Sequence, residues 1–141
     1  MGITIVWFEL EPGTVARWRD DPAAAVASLT RAWGAVLDAG DDDVPMSPPI
    51  RRVAHFDYKA SVATADDHSA EAGDLVADAI QGNEPLPIGH WPEGSVRAYT
   101  RSHVVSALAA LPDDPTHPGH HLRALLAEIH ARGSELVSLW T

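Results

Sequence analysis

Three side chains in one predicted strand are of types found in enzyme active sites, two that transfer protons and one that binds anions. His55 and Asp57 lie two positions apart in a run from Arg51 to Lys59 in which apolar and polar residues alternate. Alternate residues of a strand share a face, so the Asp57 carboxylate would hold the His55 imidazole in one tautomer, as in a general-base pair. Arg51 shares that face and is suited to binding an anion. One hypothesis is therefore an enzyme pocket formed by these three residues; the competing interpretation is the solvated face of an edge strand.

Histidines suggest a second chemistry, metal binding. The chain has 8 histidines and no cysteine, and His117, His120 and His121 form the densest group. A zinc or nickel site requires three or four donors that converge from rigid elements. On a helix, the adjacent His120 and His121 would point about 100° apart, and His130 would lie on the opposite side from His121. The pattern favours a solvated histidine group over a metal site, and no cofactor is expected.

Two further residues are candidates for contact with a partner. Trp91 lies in the proline- and glycine-rich stretch from Glu84 to Gly94, where an aromatic side chain either packs into the domain or remains available to another protein. Arg97 follows in a short predicted strand. Its guanidinium would either pair with a carboxylate of a partner or anchor the preceding turn, and the anchoring role is the expected one.

The acidic composition narrows the class of partner. There are 20 Asp and Glu against 10 Lys and Arg, for a formal net charge of −10. A negative surface disfavours nucleic acid and anionic membranes and is compatible with a basic protein partner. The run Asp41-Asp42-Asp43, followed by three prolines up to Pro49, predicts an exposed acidic loop.

The length of the chain and the absence of targeting signals indicate its domain number and its expected location. The 141 residues fit one domain, residues 1–141. The first residues carry no basic segment ahead of their short apolar run, and no stretch approaches the ~18 apolar residues of a membrane span. A soluble, cytoplasmic protein is therefore expected. Its oligomeric state is left open.

Periodicity and turn residues predict the elements that position these side chains. Ile3–Leu10 and Glu135–Trp140 carry apolar residues on both faces, so each is expected inside a sheet with a neighbour on either side. The predicted helices are Pro12–Trp18, Pro22–Asp38, Ser69–Gln81, one from Thr100 to Leu111, and one from Gly119 to Arg132. Residues 60–68 show no clear pattern. The expected fold is α+β: one mixed sheet with the N- and C-terminal strands central, packed by about four to five helices.

Three segments carry a resemblance to a known family. They are the opening Met1-Gly2-Ile3-Thr4, the segment Glu93-Gly94-Ser95-Val96-Arg97-Ala98-Tyr99-Thr100 before an apolar helix, and the closing helix, glycine and strand. In this order they resemble the YfbM-like family of bacterial domains of unknown function. The agreement is best from about Asp74 to the end, whereas Asp41 to His68 does not align. The resemblance implies a small α+β domain without an established activity.

Three functional hypotheses follow. The favoured one is a non-catalytic protein-interaction module in which Trp91 and the Asp41–Asp43 loop engage a basic partner. In its most concrete form the module is an immunity-type inhibitor, whose carboxylates cover a basic active site. The alternatives are an enzyme that uses Arg51, His55 and Asp57, and a metal-binding protein that uses its histidines.

Overall fold

A computed structural model describes residues 3–88 and 96–141, and within these ranges the chain forms one sheet and six helices. The strands are β1 (Thr4–Leu10), β2 (Ile50–Asp57), β3 (Glu84–Pro85), β4 (Val96–Ala98) and β5 (Glu135–Trp140). The helices are α1 (Thr14–Asp20), α2 (Pro22–Ala39), α3 (Tyr58–His68), α4 (Ala70–Ala79), α5 (Arg101–Ala110) and α6 (His120–Ala131).

The two terminal strands lie in the interior of the sheet. The strand order is β2-β1-β5-β4-β3, so β5 is the middle strand and β1 lies beside it. This confirms the α+β class and the central position of both chain ends. Each pairing between described strands is antiparallel, whereas the sequence predicted a mixed sheet. Apolar residues on both faces of a strand are typical of parallel sheets, but here they arise because helices cover both faces of an antiparallel one.

Helices cover the sheet on each side and form two hydrophobic cores. On one face, Val6, Phe8 and Leu10 pack with Leu29 and Val36 of α2 and with Trp18 of α1. On the other face lie Ile5, Trp7 and Leu136, against buried residues from α3, α4, α5 and α6. None of the helices in the described ranges combines the length and the apolarity needed to cross a membrane.

Most helix boundaries follow the capping signals of the sequence. Asp21, Ser69 and Thr100 each accept a hydrogen bond from the backbone N–H three residues later, which satisfies one of the free donors of a first helical turn. Gly40 ends α2 with φ of 69°, and Gly133 follows α6 with φ of 65°. Both are left-handed conformations that favour glycine. Glycine therefore ends both helices at positions where other residues would be strained.

The segment that follows β2 differs from the sequence-based expectation. The strand ends at Asp57, two residues before Lys59, and the chain turns directly into α3. The Asp57 carboxylate accepts a hydrogen bond from the backbone N–H of Ala60 at 2.9 Å and so caps this helix. Residues 60–68, which showed no pattern, are therefore helical and continue to α4 after a break at Ser69.

Two aromatic side chains fix the end of α4 to the sheet. The Trp7 indole N–H donates to the carbonyl oxygen of Ile80 at 2.8 Å, and the Tyr99 hydroxyl donates to the carbonyl oxygen of Ala79 at 2.7 Å. Both hydrogen bonds are buried, and they satisfy carbonyl groups that have no partner within the helix. The position of α4 over the sheet is thus specified by polar contacts as well as by packing.

Candidate functional site

The predicted trio of Arg51, His55 and Asp57 does not converge on one pocket. The His55 Nδ1 atom lies 2.6 Å from the Oδ1 atom of Asp42, and the His55 backbone N–H donates to Asp42 Oδ2 at 3.1 Å. Asp57 instead caps α3. The carboxylate that orients the imidazole is therefore Asp42 and not the predicted Asp57. Local spacing along the strand favoured the wrong acid, because the correct one comes from a loop 13 residues earlier.

A β-bulge turns Arg51 away from the predicted face. In the β1–β2 ladder Glu9 pairs with Arg52 and Leu10 pairs with Ile50, so Arg51 is the extra residue of the bulge. Its Nη1 atom donates to the Ser134 hydroxyl at 2.8 Å. The guanidinium thus reaches the start of β5 rather than the imidazole of His55.

The Asp42–His55 pair has the geometry of an oriented imidazole but an open setting. The His55 side chain is 49% exposed and that of Asp42 32% exposed. The Trp33 ring packs against the imidazole with a centroid separation of 5.9 Å. Asp42 occupies Nδ1 and leaves Nε2 free of that contact, as general-base catalysis requires. Neither of the two concave surfaces considered below is lined by His55.

The acidic loop Asp41–Asp43 is partly engaged in its own structure. Asp41 Oδ1 accepts a hydrogen bond from the backbone N–H of Asp43 at 3.0 Å, and Asp42 is held by His55. Asp41 and Asp43 are exposed. Of the three predicted binding carboxylates, the middle one is therefore committed to an internal contact.

The three candidate metal-ligating histidines make separate contacts. The Nδ1 atom of His117 accepts a hydrogen bond from the Gly119 N–H at 3.0 Å, and the His121 ring lies 6.1 Å from that of Phe56. The Nδ1 atom of His120 is buried and has no hydrogen-bond partner among the described residues. In residues 3–88 and 96–141, no group of three or more His, Cys, Asp or Glu side chains is placed to hold a metal ion.

The two candidate contacts with a partner are Trp91 and Arg97, and Trp91 lies outside the described residues. Arg97 is partly exposed on β4, where it pairs with Ser138 of β5 and Pro85 of β3. Its carbonyl oxygen closely approaches Gly82, where an added Cβ would lie only 2.6 Å from it. The backbone of Arg97 thus packs against the turn at Gly82 that follows α4, and the role of its guanidinium stays a prediction.

Sequence reasoning missed the most strongly connected charged group, Glu9. This carboxylate lies on β1 and is only 2% exposed. Arg132 donates to it through Nε at 2.8 Å and Nη2 at 2.6 Å, a bidentate contact, and the Ser134 hydroxyl donates at 2.6 Å. Arg52 adds a second positive charge, with its Nε atom 3.9 Å from Glu9 Oε1. The signal in the sequence was an acid between Phe8 and Leu10 in a strand buried on both faces, since such a charge requires a partner.

The surroundings of Glu9 keep it ionised. Burial raises the pKa of the Glu9 carboxyl, but hydrogen bonds from Arg132 and Ser134 and the charges of Arg132 and Arg52 outweigh burial, so the pKa is lowered. The same contact raises the pKa of Arg132. A carboxylate that is ionised and saturated with donors is a poor proton acceptor. We therefore interpret this group, the Glu9 cluster (Glu9, Arg52, Arg132 and Ser134), as a structural clamp that holds the α6–β5 turn against β1.

Two concave surfaces lie among the helices of the same face. The first, here named the α5–α6 cleft, has a volume of about 290 Å³ and is lined by Tyr99, Arg101, Val104, Ile129, His130, Gly133, Ser134, Glu135 and Leu136. The second, the α4–α5 groove, has a volume of about 180 Å³ and is lined by Leu75, Asp78, Ala79, His103, Ser106, Ala107, Ala110 and Leu111. The lining of the groove is largely aliphatic, whereas the cleft combines an aliphatic floor with charged side chains.

Acidic side chains are concentrated on α3 and α4, and one of them, Asp78, lines the α4–α5 groove. The exposed acids of α3 and α4 are Asp66, Asp67, Glu71, Asp74 and Asp78. None of these five carboxylates forms an ion pair with a side chain of the described residues. Glu71, Asp74 and Asp78 recur at helical spacing, so they lie along one side of α4. Along α4 these acids form a row of negative charge without an ion-pair partner among residues 3–88 and 96–141.

Comparison with known proteins adds no assignment to this geometry. No protein-family model, no curated protein and no solved structure matches the chain. The resemblance to the YfbM-like family stays a prediction from the sequence, and function has to be argued from the surfaces of the molecule.

Proposed function

We propose that this chain is a non-catalytic interaction domain that binds a basic, amphipathic helical segment of another protein. The observation that carries the proposal is the α4–α5 groove with its acidic border. A helix with an apolar stripe fits a groove lined by aliphatic side chains, and lysines or arginines on its flank would meet Asp74 and Asp78. The net charge of −10 favours the same partner, because it attracts positive segments over a distance.

The groove has the chemistry of a docking surface for a helix. Leu75 lines the groove and is only partly buried, and Ala110, which also lines it, is exposed. Contact with a partner would remove these side chains from water, which is the main source of favourable free energy in such interfaces. The carboxylates contribute chiefly to the association rate and to selection against acidic partners.

The inhibitor form of the proposal places a further demand on the same surface. An immunity-type domain covers a basic active site, so its carboxylates must be free to replace a phosphate group. Asp66, Asp67, Glu71, Asp74 and Asp78 meet this demand better than the predicted Asp41–Asp43 loop, in which Asp42 is engaged by His55. The proposed contact surface is therefore α4 and its groove, rather than the loop.

The test uses a designed peptide as the probe. A helical 18-residue peptide with leucines on one face and lysines on the other is titrated into ¹⁵N-labelled protein, and amide shifts are followed by NMR. We expect shifts confined to α4 and α5. Because each exposed charge contributes about 0.5–1 kcal/mol, the double variant Asp74→Asn/Asp78→Asn should weaken binding about tenfold.

The matched control is Asp41→Asn/Asp43→Asn, which removes the same charge from the loop and should leave the affinity within about twofold. A peptide with glutamates in place of lysines should not bind. Equal affinity of the wild type and the α4 variant, or shifts that map to residues 41–43, would show that the groove is not the contact surface.

A further inference from the structure

We propose that the α5–α6 cleft binds a small carboxylate that carries an apolar body. The cleft is separate from the α4–α5 groove, so this inference does not depend on the interaction function. Its volume of about 290 Å³ is near the lower end of the range of small-molecule sites. It has an apolar floor and positive side chains that the fold does not use.

The positive groups of the cleft are uncommitted. Arg101, the first residue of α5, is exposed, and neither its guanidinium nor the His130 imidazole makes a hydrogen bond or ion pair with any residue in the described ranges. By contrast, Arg51, Arg52 and Arg132 each contact a carboxylate or a hydroxyl. In a chain with twice as many acids as bases, a guanidinium that faces a cavity without an acid partner is available for an external anion.

The remaining polar groups that line the cleft are already engaged. The Ser134 hydroxyl donates to Glu9, and the Tyr99 hydroxyl donates to the carbonyl of Ala79. Burial raises the pKa of the Tyr99 phenol well above its ordinary value, so this group stays neutral. Glu135 accepts a hydrogen bond from the Val15 N–H at 2.9 Å, which holds its carboxylate towards α1.

The floor of the cleft selects an apolar body. Val104, Ile129 and Leu136 line it and are 8%, 3% and 2% exposed, so their aliphatic surfaces belong to the hydrophobic core. A hydrocarbon chain or ring in the cleft would extend that core. Burial of such a group contributes roughly 25 cal/mol per Å² removed from water.

The charges favour a carboxylate over a phosphate. One guanidinium matches the two oxygens of a carboxylate in a bidentate contact. A doubly charged phosphate would find only one permanent cation, Arg101, among the side chains that line the cleft. The partial positive charge at the start of α5 adds to the attraction for a single negative charge.

The experiment is an NMR titration of ¹⁵N-labelled protein with hexanoate, hexan-1-ol and inorganic phosphate. We expect hexanoate to shift the amides of residues 101–104 and 130–136, and to bind at least tenfold more tightly than either of the other two probes. Arg101→Gln should weaken hexanoate binding at least tenfold. The affinity of Arg101→Lys for hexanoate should lie between those of Arg101→Gln and the wild type. The control Arg31→Gln removes an exposed arginine of α2 outside the cleft and should leave binding unchanged.

Three outcomes would overturn the proposal. The first is equal affinity of wild type and Arg101→Gln for hexanoate, and the second is binding of phosphate as tight as that of hexanoate. The third is a set of shifts outside the cleft, which would mark adventitious binding. Arg101 is exposed and makes no described contact, so its variants should fold, and their unperturbed amide spectra verify this before the titration.

Discussion

Two groups of acid–base contacts, one beside each face of strand β2, show how burial changes the role of similar side chains. On the face towards α6, Arg52 lies beside Glu9, whose carboxylate is 2% exposed and accepts three hydrogen bonds from Arg132 and Ser134. On the face towards α2, His55 contacts Asp42, and their side chains are 49% and 32% exposed. The shortest distance is 2.6 Å in each group, from Arg132 Nη2 to Glu9 Oε1 and from His55 Nδ1 to Asp42 Oδ1, so distance alone does not distinguish the two groups.

The two groups of contacts differ in whether water can hydrate a side chain that has lost its partner. If a partner of Glu9 is removed, a buried charge remains that solvent cannot reach, and the loss is large. If Asp42 or His55 loses its partner, water hydrates the remaining group, and the contact contributes little to stability. We therefore infer that the Glu9 cluster determines how α6 and β5 are joined to β1, whereas the Asp42–His55 pair orders only a surface loop.

The largest effect is expected for Glu9→Gln. The variant keeps the shape of the side chain but leaves Arg132 and Arg52 without their buried carboxylate. The hydrogen bonds that the buried carboxylate accepts contribute about 1.5–3 kcal/mol each. Because the Arg132 side chain is 44% exposed, so that water can hydrate it, we expect a net loss of about 3 kcal/mol. Urea unfolding followed by circular dichroism measures the difference.

The control is Glu128→Gln, which removes the second acid that Arg52 contacts, at 3.1 Å. Glu128 is 53% exposed, so we expect a loss of no more than about 0.5 kcal/mol. If Glu9→Gln and Glu128→Gln were equally mild, burial would not explain the difference between the two sides of β2.

Lowering the pH should reduce the contribution of the Glu9 cluster to the free energy of unfolding. The pKa of Glu9 is lowered in the folded protein from an ordinary value of 4.5. Its contribution to stability is therefore fully present above about pH 4.5 and is lost as the pH falls through the lower, folded-state value.

The measurement is the difference in unfolding free energy between wild type and Glu9→Gln from pH 7 to pH 3. We expect this difference to be constant at neutral pH and to shrink below about pH 4.5. Other acids with a lowered pKa, such as Asp114, are present in both proteins, so their titration cancels. A difference that grew with acid would contradict the lowered pKa.

The elements were more predictable from sequence than the contacts between them. The caps at Asp21, Ser69 and Thr100 and the stops at Gly40 and Gly133 depend on a few adjacent residues, so local patterns sufficed. Helix α3 was missed because it has little apolar periodicity. Its position depends on the Asp57 cap and on packing against α4.

The candidate sites depend on residues that are distant in the chain. Glu9 and Arg132 are 123 positions apart, and only the pairing of β1 with β5 brings them together. The charge of Glu9 within an apolar strand predicts that some partner exists, but it does not predict which. For His55 the sequence offered Asp57 at strand spacing, and the structure uses Asp42, because Asp57 is needed as a helix cap.

The smallest effect, and the finest test of the comparison, is expected for Asp42→Asn. The amide keeps an oxygen that can accept the His55 N–H, but it loses the charge. Since both side chains are substantially exposed, we expect a loss of about 0.5 kcal/mol in urea unfolding, with Asp41→Asn as the control for loop charge. The imidazole ¹⁵N shifts should show that the preference for one tautomer is weakened, because the carboxylate holds the proton on Nδ1. A loss near 3 kcal/mol would mean that this exposed pair is as important as the buried one, and burial would then not be the deciding variable.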